Sequence, residues 1–188
     1  GGGGRNGTKM PALDVVSIRT PVLRLFGRDY TQVDTQLRPR DDGWQIALNM
    51  QEAAGELTWR GAGEGSLEGR LQRLVVRRAA EAGGGPNASL LNSLPALNLA
   101  VDDFRIGEMA LGRLELRARN DKGAWHLETL NLRNPDGALI GKAVWRNDGA
   151  GRHQTSLDFE LTASDVGKLL NRLGYVDAIR RGTAKLAG

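Results

Sequence analysis

Apolar and polar side chains alternate one by one along much of this chain, in short runs separated by turn-forming residues. Leu114, Leu116 and Ala118 alternate with Arg113, Glu115, Arg117 and Arg119, and Leu157, Phe159 and Leu161 alternate with Ser156, Asp158 and Glu160. Trp44, Ile46 and Leu48 do the same with Gln45, Ala47 and Asn49, as do Leu97, Leu99 and Val101 with Asn98, Ala100 and Asp102. A period of two marks a strand, which sends successive side chains to opposite faces of a sheet. Between the runs stand Asp42-Gly43, Lys122-Gly123, Pro135-Asp136-Gly137 and Asn147-Asp148-Gly149, residue types that close tight hairpins. The pattern predicts an all-β chain, an antiparallel meander with one greasy and one wet face.

A second level of order is an internal repeat. Asp42-Gly43-Trp44-Gln45-Ile46 matches Gly123-Ala124-Trp125-His126-Leu127, and Leu57-Thr58-Trp59-Arg60 matches Ala143-Val144-Trp145-Arg146. Ser66-Leu67-Glu68-Gly69-Arg70-Leu71 then aligns with Ser156-Leu157-Asp158-Phe159-Glu160-Leu161, with small loop insertions between the matches. Two copies of one several-stranded unit imply an elongated sheet grown by repetition. The division expected is a flexible linker or residues left from cloning over 1–10, a first unit over 11–82, a linker over 83–93 and a second unit over 94–188. Leu67 to Val76 also carries helical spacing at Leu67, Leu71 and Leu74, but its match to the second copy predicts a strand.

One stretch departs from alternation. From Ser164 to Gly174 the apolar residues Val166, Leu169, Leu170 and Leu173 fall on one face of a helix, predicting a short amphipathic helix over 164–174. Ser164 suits the N-cap, Asp165 the first turn and Gly174 the left-handed C-terminal position.

Charge and composition narrow the chemistry. With 26 Lys plus Arg against 22 Asp plus Glu the net charge is +4, and the charges are interspersed. A mixed solvated surface follows. Arg77-Arg78 and Arg180-Arg181 lack the interleaved aromatics of a single-strand binder, so no nucleic acid partner is expected. Cysteine is absent, which removes disulfides, thiol catalysis and Cys-based zinc sites. His126 and His153 lack the paired spacing of a metal site, so no metal is expected. Asp41-Asp42 and Asp102-Asp103 are adjacent acids whose side chains point apart in a strand or turn, where acid and base must converge on one bond. Gly61-Ala62-Gly63-Glu64-Gly65 has neither the lysine nor the Ser/Thr of a phosphate loop. Asn6-Gly7-Thr8 and Asn87-Ala88-Ser89 match the glycosylation sequon, a three-residue pattern too short to weigh. No catalytic residue and no cofactor is expected, and the chain reads as a non-enzyme. No apolar run reaches the roughly 20 residues that span a bilayer, and the glycine-rich start and strand-like end read as a piece of something longer.

The order Leu94-Pro95-Ala96-Leu97-Asn98-Leu99, Gly107, Leu111-Gly112-Arg113-Leu114-Glu115-Leu116 and Trp125 resembles the YhdP branch of the AsmA-like family, which is related to TamB. The later run Thr155-Ser156-Leu157-Asp158-Phe159-Glu160-Leu161, Ser164-Asp165-Val166-Gly167-Lys168-Leu169-Leu170 and Leu173-Gly174-Tyr175, with a strand at Arg181-Gly182-Thr183-Ala184, is similar to it too. The resemblance implies a periplasmic protein anchored in the Gram-negative inner membrane, outside this piece. Its long curved antiparallel sheet, built from repeated meander units, forms an open apolar groove that moves phospholipid toward the outer membrane. The expected partners are phospholipid acyl chains, neighbouring repeats of the full-length chain and other envelope proteins. The residues expected to line the groove are Trp44, Ile46, Leu48, Leu99, Val101, Leu114, Leu116, Trp125, Leu127, Leu157, Phe159 and Leu161. From alternation alone, the same face also fits a dry core closed by a second sheet or by the helix, in a non-catalytic envelope scaffold.

Overall fold

The computed structural model describes residues 14–25, 28–61, 65–76, 95–121, 124–147, 153–172 and 182–188. The expectations placed on residues 1–10, 83–93 and 173–174, on both sequons and on both arginine pairs fall outside these residues, as does the side chain of His153.

Eleven strands form a single sheet in which each neighbours the next in sequence. They are β1 (Val16–Leu25), β2 (Arg28–Arg40), β3 (Gly43–Asn49), β4 (Ala53–Arg60), β5 (Ser66–Val76), β6 (Ala96–Ile106), β7 (Met109–Asp121), β8 (Ala124–Asn134), β9 (Gly137–Asn147), β10 (His153–Ala163) and β11 (Ala184–Ala187). The described residues add one helix, α1 (Val166–Arg172). β1 and β11 are the two edges, so the sheet is open, and the all-β architecture expected from alternation is the one found. The strand expectation for Leu67 to Val76 holds as β5.

Pairing is antiparallel at every step except β5 with β6, which run parallel with Leu67 opposite Leu97 and Leu71 opposite Val101. A two-residue turn forces antiparallel neighbours, whereas the long connection between Val76 and Ala96 does not. The sheet is therefore mixed, two antiparallel meanders meeting at one parallel seam. Trp44 stands opposite Trp59 in β3–β4, and Trp125 opposite Trp145 in β8–β9. The third match of the internal repeat needs correcting. Leu67 pairs with Trp59, but Thr155 rather than Leu157 pairs with Trp145, because two residue pairs follow Trp145 before the β9–β10 loop and only one follows Trp59 before the β4–β5 loop.

Bulges explain the helical spacing that made β5 ambiguous. The ladder skips Gln72 between Gly55–Leu71 and Ala54–Arg73, and the skip passes to Asp102 in β6. An extra residue in a strand returns the alternation to the same face after three positions instead of two. Leu71 and Leu74, Val101 and Phe104, and Leu127 and Leu130 thereby share a face.

The large buried apolar clusters lie on that face. Ala118, Trp125, Leu127 and Ala143 make one buried cluster, and Leu71, Val101 and Leu114 make another, with Leu116 and Leu130 packed against both. All of these strands belong to one layer, and Val33 and Val101 are the large side chains buried most completely among the described residues.

The helix begins one residue later than its sequence suggests. Asp165, not Ser164, is the N-cap: its Oδ1 accepts the Lys168 N–H at 3.1 Å and its carbonyl accepts the Leu169 N–H at 2.9 Å. Ser164 Oγ instead donates to the Pro135 carbonyl at 3.3 Å, tying the helix to the β8–β9 turn. Arg172 grips Asp136 in the same turn at 2.7 Å, and Asp136 is nearly buried.

Candidate functional site

Residues directly opposite one another in a ladder share a face, so the register carries facing from strand to strand. Beginning at Trp44, Ile46 and Leu48, the path runs through Trp59, Leu57 and Gly55 in β4 to Leu67, Gly69 and Leu71 in β5. It continues to Leu97, Leu99 and Val101 in β6 and to Ala118, Leu116 and Leu114 in β7. From there it reaches Trp125, Leu127, Leu130 and Leu132 in β8, Trp145, Ala143 and Leu139 in β9, and finally Thr155, Leu157, Phe159 and Leu161 in β10. All twelve residues singled out from the sequence thus stand on one face of one sheet. Leu37 in β2 and Leu186 in β11 extend it in both directions.

Exposure on this face is uneven. Val101 is 0% exposed, and Leu114, Trp125 and Leu127 are buried, whereas Leu157 is 53% exposed and the other seven are half-buried. Ile18 and Val22 in β1, Val76 at the end of β5 and Leu186 in β11 are exposed on the same face. Alternation alone missed Leu71, Leu74, Phe104, Leu130 and Leu132, which belong to the packed middle of the face. The signal that finds them is a single step of three inside an otherwise alternating run, the mark of a bulge.

The opposite face carries charge. Arg19 pairs with Asp34 at 3.0 Å, Arg60 with Glu68 at 2.9 Å, Arg70 with Asp102 at 3.1 Å and Arg119 with Glu128 at 2.5 Å. The bonded carboxylate of Glu68 raises the Arg60 guanidinium above its ordinary range, and Glu128 does the same for Arg119. Exposed pairs of this kind add little stability; they keep this side wetted. Asp102 and Asp103, read as a conceivable acid pair, are each held by arginines, Asp103 by Arg105 at 3.0 Å. His126 lies on the charged face opposite Val144, and Asp41 and Asp42 form the β2–β3 turn. Among the described residues no group of three or more His, Asp or Glu gathers where a metal ion would be held. No described helix is long and apolar enough to cross a membrane.

Helix α1 lies on the apolar side at one corner. Gly137 pairs with Asn134 and Ala163, and a Cβ there would meet Leu169 Cδ2 at 3.5 Å. At the opposite strand ends stand the two tryptophan pairs, with Trp125 and Trp145 packed at 5.3 Å between ring centroids and tilted by 48°. Gly43 beside the first pair admits no side chain, since a Cβ would lie 1.8 Å from the Trp59 carbonyl oxygen.

A continuous apolar face backed by a charged one is the outcome of the motif order noted in the sequence, and comparison with known families agrees: the family model described as YhdP protein matches residues 3–188. The chain belongs to the YhdP family. Its match begins well before Leu94, so the first half, tied to the family in sequence mainly through the internal repeat, is part of it as well. YhdP proteins form a bacterial envelope family. No curated protein and no solved structure matches this YhdP chain. The apolar face is therefore the candidate site, and the charged face its solvated back.

Proposed function

We propose that this chain is a non-catalytic section of a periplasmic lipid conduit, in which the apolar face of the sheet shelters phospholipid acyl chains in transit between the inner and outer membranes. The observation that carries the reading is the unbroken apolar path from β1 to β11, left exposed at Ile18, Val22, Leu157 and Leu186. An acyl chain of roughly 14 to 16 methylenes loses about 12 kcal/mol of hydrophobic stabilisation if passed through water, at about 0.8 kcal/mol per methylene. A continuous apolar surface removes most of that barrier. Over β3 to β10 the face reads hydrocarbon rather than head groups, because the cations of those strands sit on the other side, and Arg24 at the β1 flank is already paired with Asp29. In this reading the full-length chain is anchored in the inner membrane, and the edges β1 and β11 adjoin neighbouring repeats.

A second reading, the scaffold with a sealed core, draws on the burial of Leu71, Val101 and Leu114 and on α1 covering the Gly137 corner. The two separate in one experiment. Native mass spectrometry and solvent extraction of the purified chain should detect bound phospholipid. A folded chain free of lipid after incubation with phospholipid vesicles contradicts the conduit and leaves the scaffold.

A further inference from the structure

The four tryptophans all lie on the apolar face, yet one differs from the rest. Trp44, Trp59 and Trp145 are half-buried, while Trp125 is 8% exposed and its Nε1–H is closed off from solvent without a hydrogen-bond partner. A buried donor left unpaired is costly, and buried indole N–H groups ordinarily find an acceptor. The ring is set among Ala118, Leu127, Ala143 and Trp145, with the neutral amide of Asn120 directly opposite in β7, so the donor is flanked by hydrocarbon and no charge on this face.

We propose that Trp125 is a specificity residue of the conduit, its indole N–H donating to an ester carbonyl oxygen of the lipid whose chains lie on the apolar face. The inference rests on the conduit reading and sharpens its substrate class to ester-linked lipids. A guest that supplies both hydrocarbon and an adjacent neutral acceptor matches a donor set against an apolar cluster and an uncharged amide. A phosphate does not, because the nearest arginines by register, Arg119 and Arg146, stand on the opposite face. An anion brought here would lose its hydration without gaining a counter-charge.

The test offers the full chain vesicles of a diacyl phosphatidylglycerol or of its dialkyl ether analogue with matched chain lengths, and measures retained lipid after separation. The wild type should retain the ester lipid over the ether by roughly five- to tenfold, the scale of one hydrogen bond to an otherwise unpaired donor. Trp125→Phe keeps the ring and loses the donor, so it should retain both lipids equally. Independently of any variant, the Trp125 indole ¹H–¹⁵N resonance should move downfield with the ester lipid and stay in place with the ether. Equal retention of both lipids by the wild type, with the resonance unmoved, overturns the assignment while the conduit stands. The same holds if Trp125→Phe lowers thermal stability and keeps the ester preference, as it would if the N–H turned to Asn120 across the strand pair. Retention of neither lipid by the folded wild type removes the conduit, and the inference with it.

Discussion

In the middle of the sheet Leu71, Val101 and Leu114 are buried; on the same face at the flanks Ile18, Val22, Leu157 and Leu186 stand open. The local patterns are the same, apolar residues alternating with polar ones, and so is the facing. What differs is the company. A central residue has side chains leaning over it from strands on either side, including Leu48 from β3 and Leu132 from β8, whereas β1 and β11 have a neighbour on one side only and β11 pairs with β10 only from Glu160 on, leaving Leu157 flanked by β9 alone. Period two therefore decides which face a residue takes, and the strands around it decide whether the fold or a guest covers it. The centre of the face holds the sheet together, and the flanks hold the apolar area that the chain itself leaves uncovered.

The largest effect that separates the two regions is expected at the centre. Val101→Asp places a charge where exposure is 0% and should destabilise the chain by on the order of 4–5 kcal/mol, read as loss of the cooperative urea transition. A transition left within about 1 kcal/mol of wild type would show that the middle is not the packed part. Next comes the helix at the corner of the face. Arg172→Ala strips the nearly buried Asp136 of its partner and should cost about 1–2 kcal/mol in the same assay, since Arg172 itself is partly solvated.

At the flank the order of effects reverses. Leu157→Asp should change unfolding free energy by less than about 0.5 kcal/mol and yet lower phospholipid retention severalfold; unfolding of this variant would move Leu157 into the structural core. The smallest effect is a pH dependence of α1. Hydrogen bonding from the Lys168 backbone N–H, aided by the Lys168 charge, holds the Asp165 carboxyl below its usual range. A depressed folded value means that the stabilisation is complete above the unfolded value of about 3.9 and is lost as pH falls through the folded one. Amide exchange in 166–169 should quicken in that acid window, and Asp165→Asn should remove the dependence.

Much of this was legible from residues alone. The shared facing of the twelve chosen residues follows from alternation within a strand and from pairing that keeps opposite residues on one side, so Trp44 and Phe159 align although they are seven strands apart. Burial was not legible, because Val101 and Leu157 have the same pattern around them and differ only in their neighbours. Leu116, chosen as an open lining position, packs against both clusters for that reason. The step of three from Leu71 to Leu74 carries helical spacing in the sequence, and the ladder shows one inserted residue there as it does after Val101 and Leu127. The parallel seam was hidden because no local signal distinguishes a long connection that reverses direction from one that does not. At the helix, a serine and an aspartate side by side both suit an N-cap, and the pull of Pro135 on Ser164 decided between them.

The most direct measurement of the central idea places a photo-crosslinking amino acid, one site at a time, at Leu157 and Leu99 on the apolar face and at Asp158 and Asn98 on the charged face, in the chain loaded with phospholipid. Crosslinks to lipid at Leu157 and Leu99, with none at Asp158 and Asn98, are the result expected of a sheet that carries hydrocarbon on one side. Equal labelling of both faces, or lipid on neither in a folded chain, would contradict it.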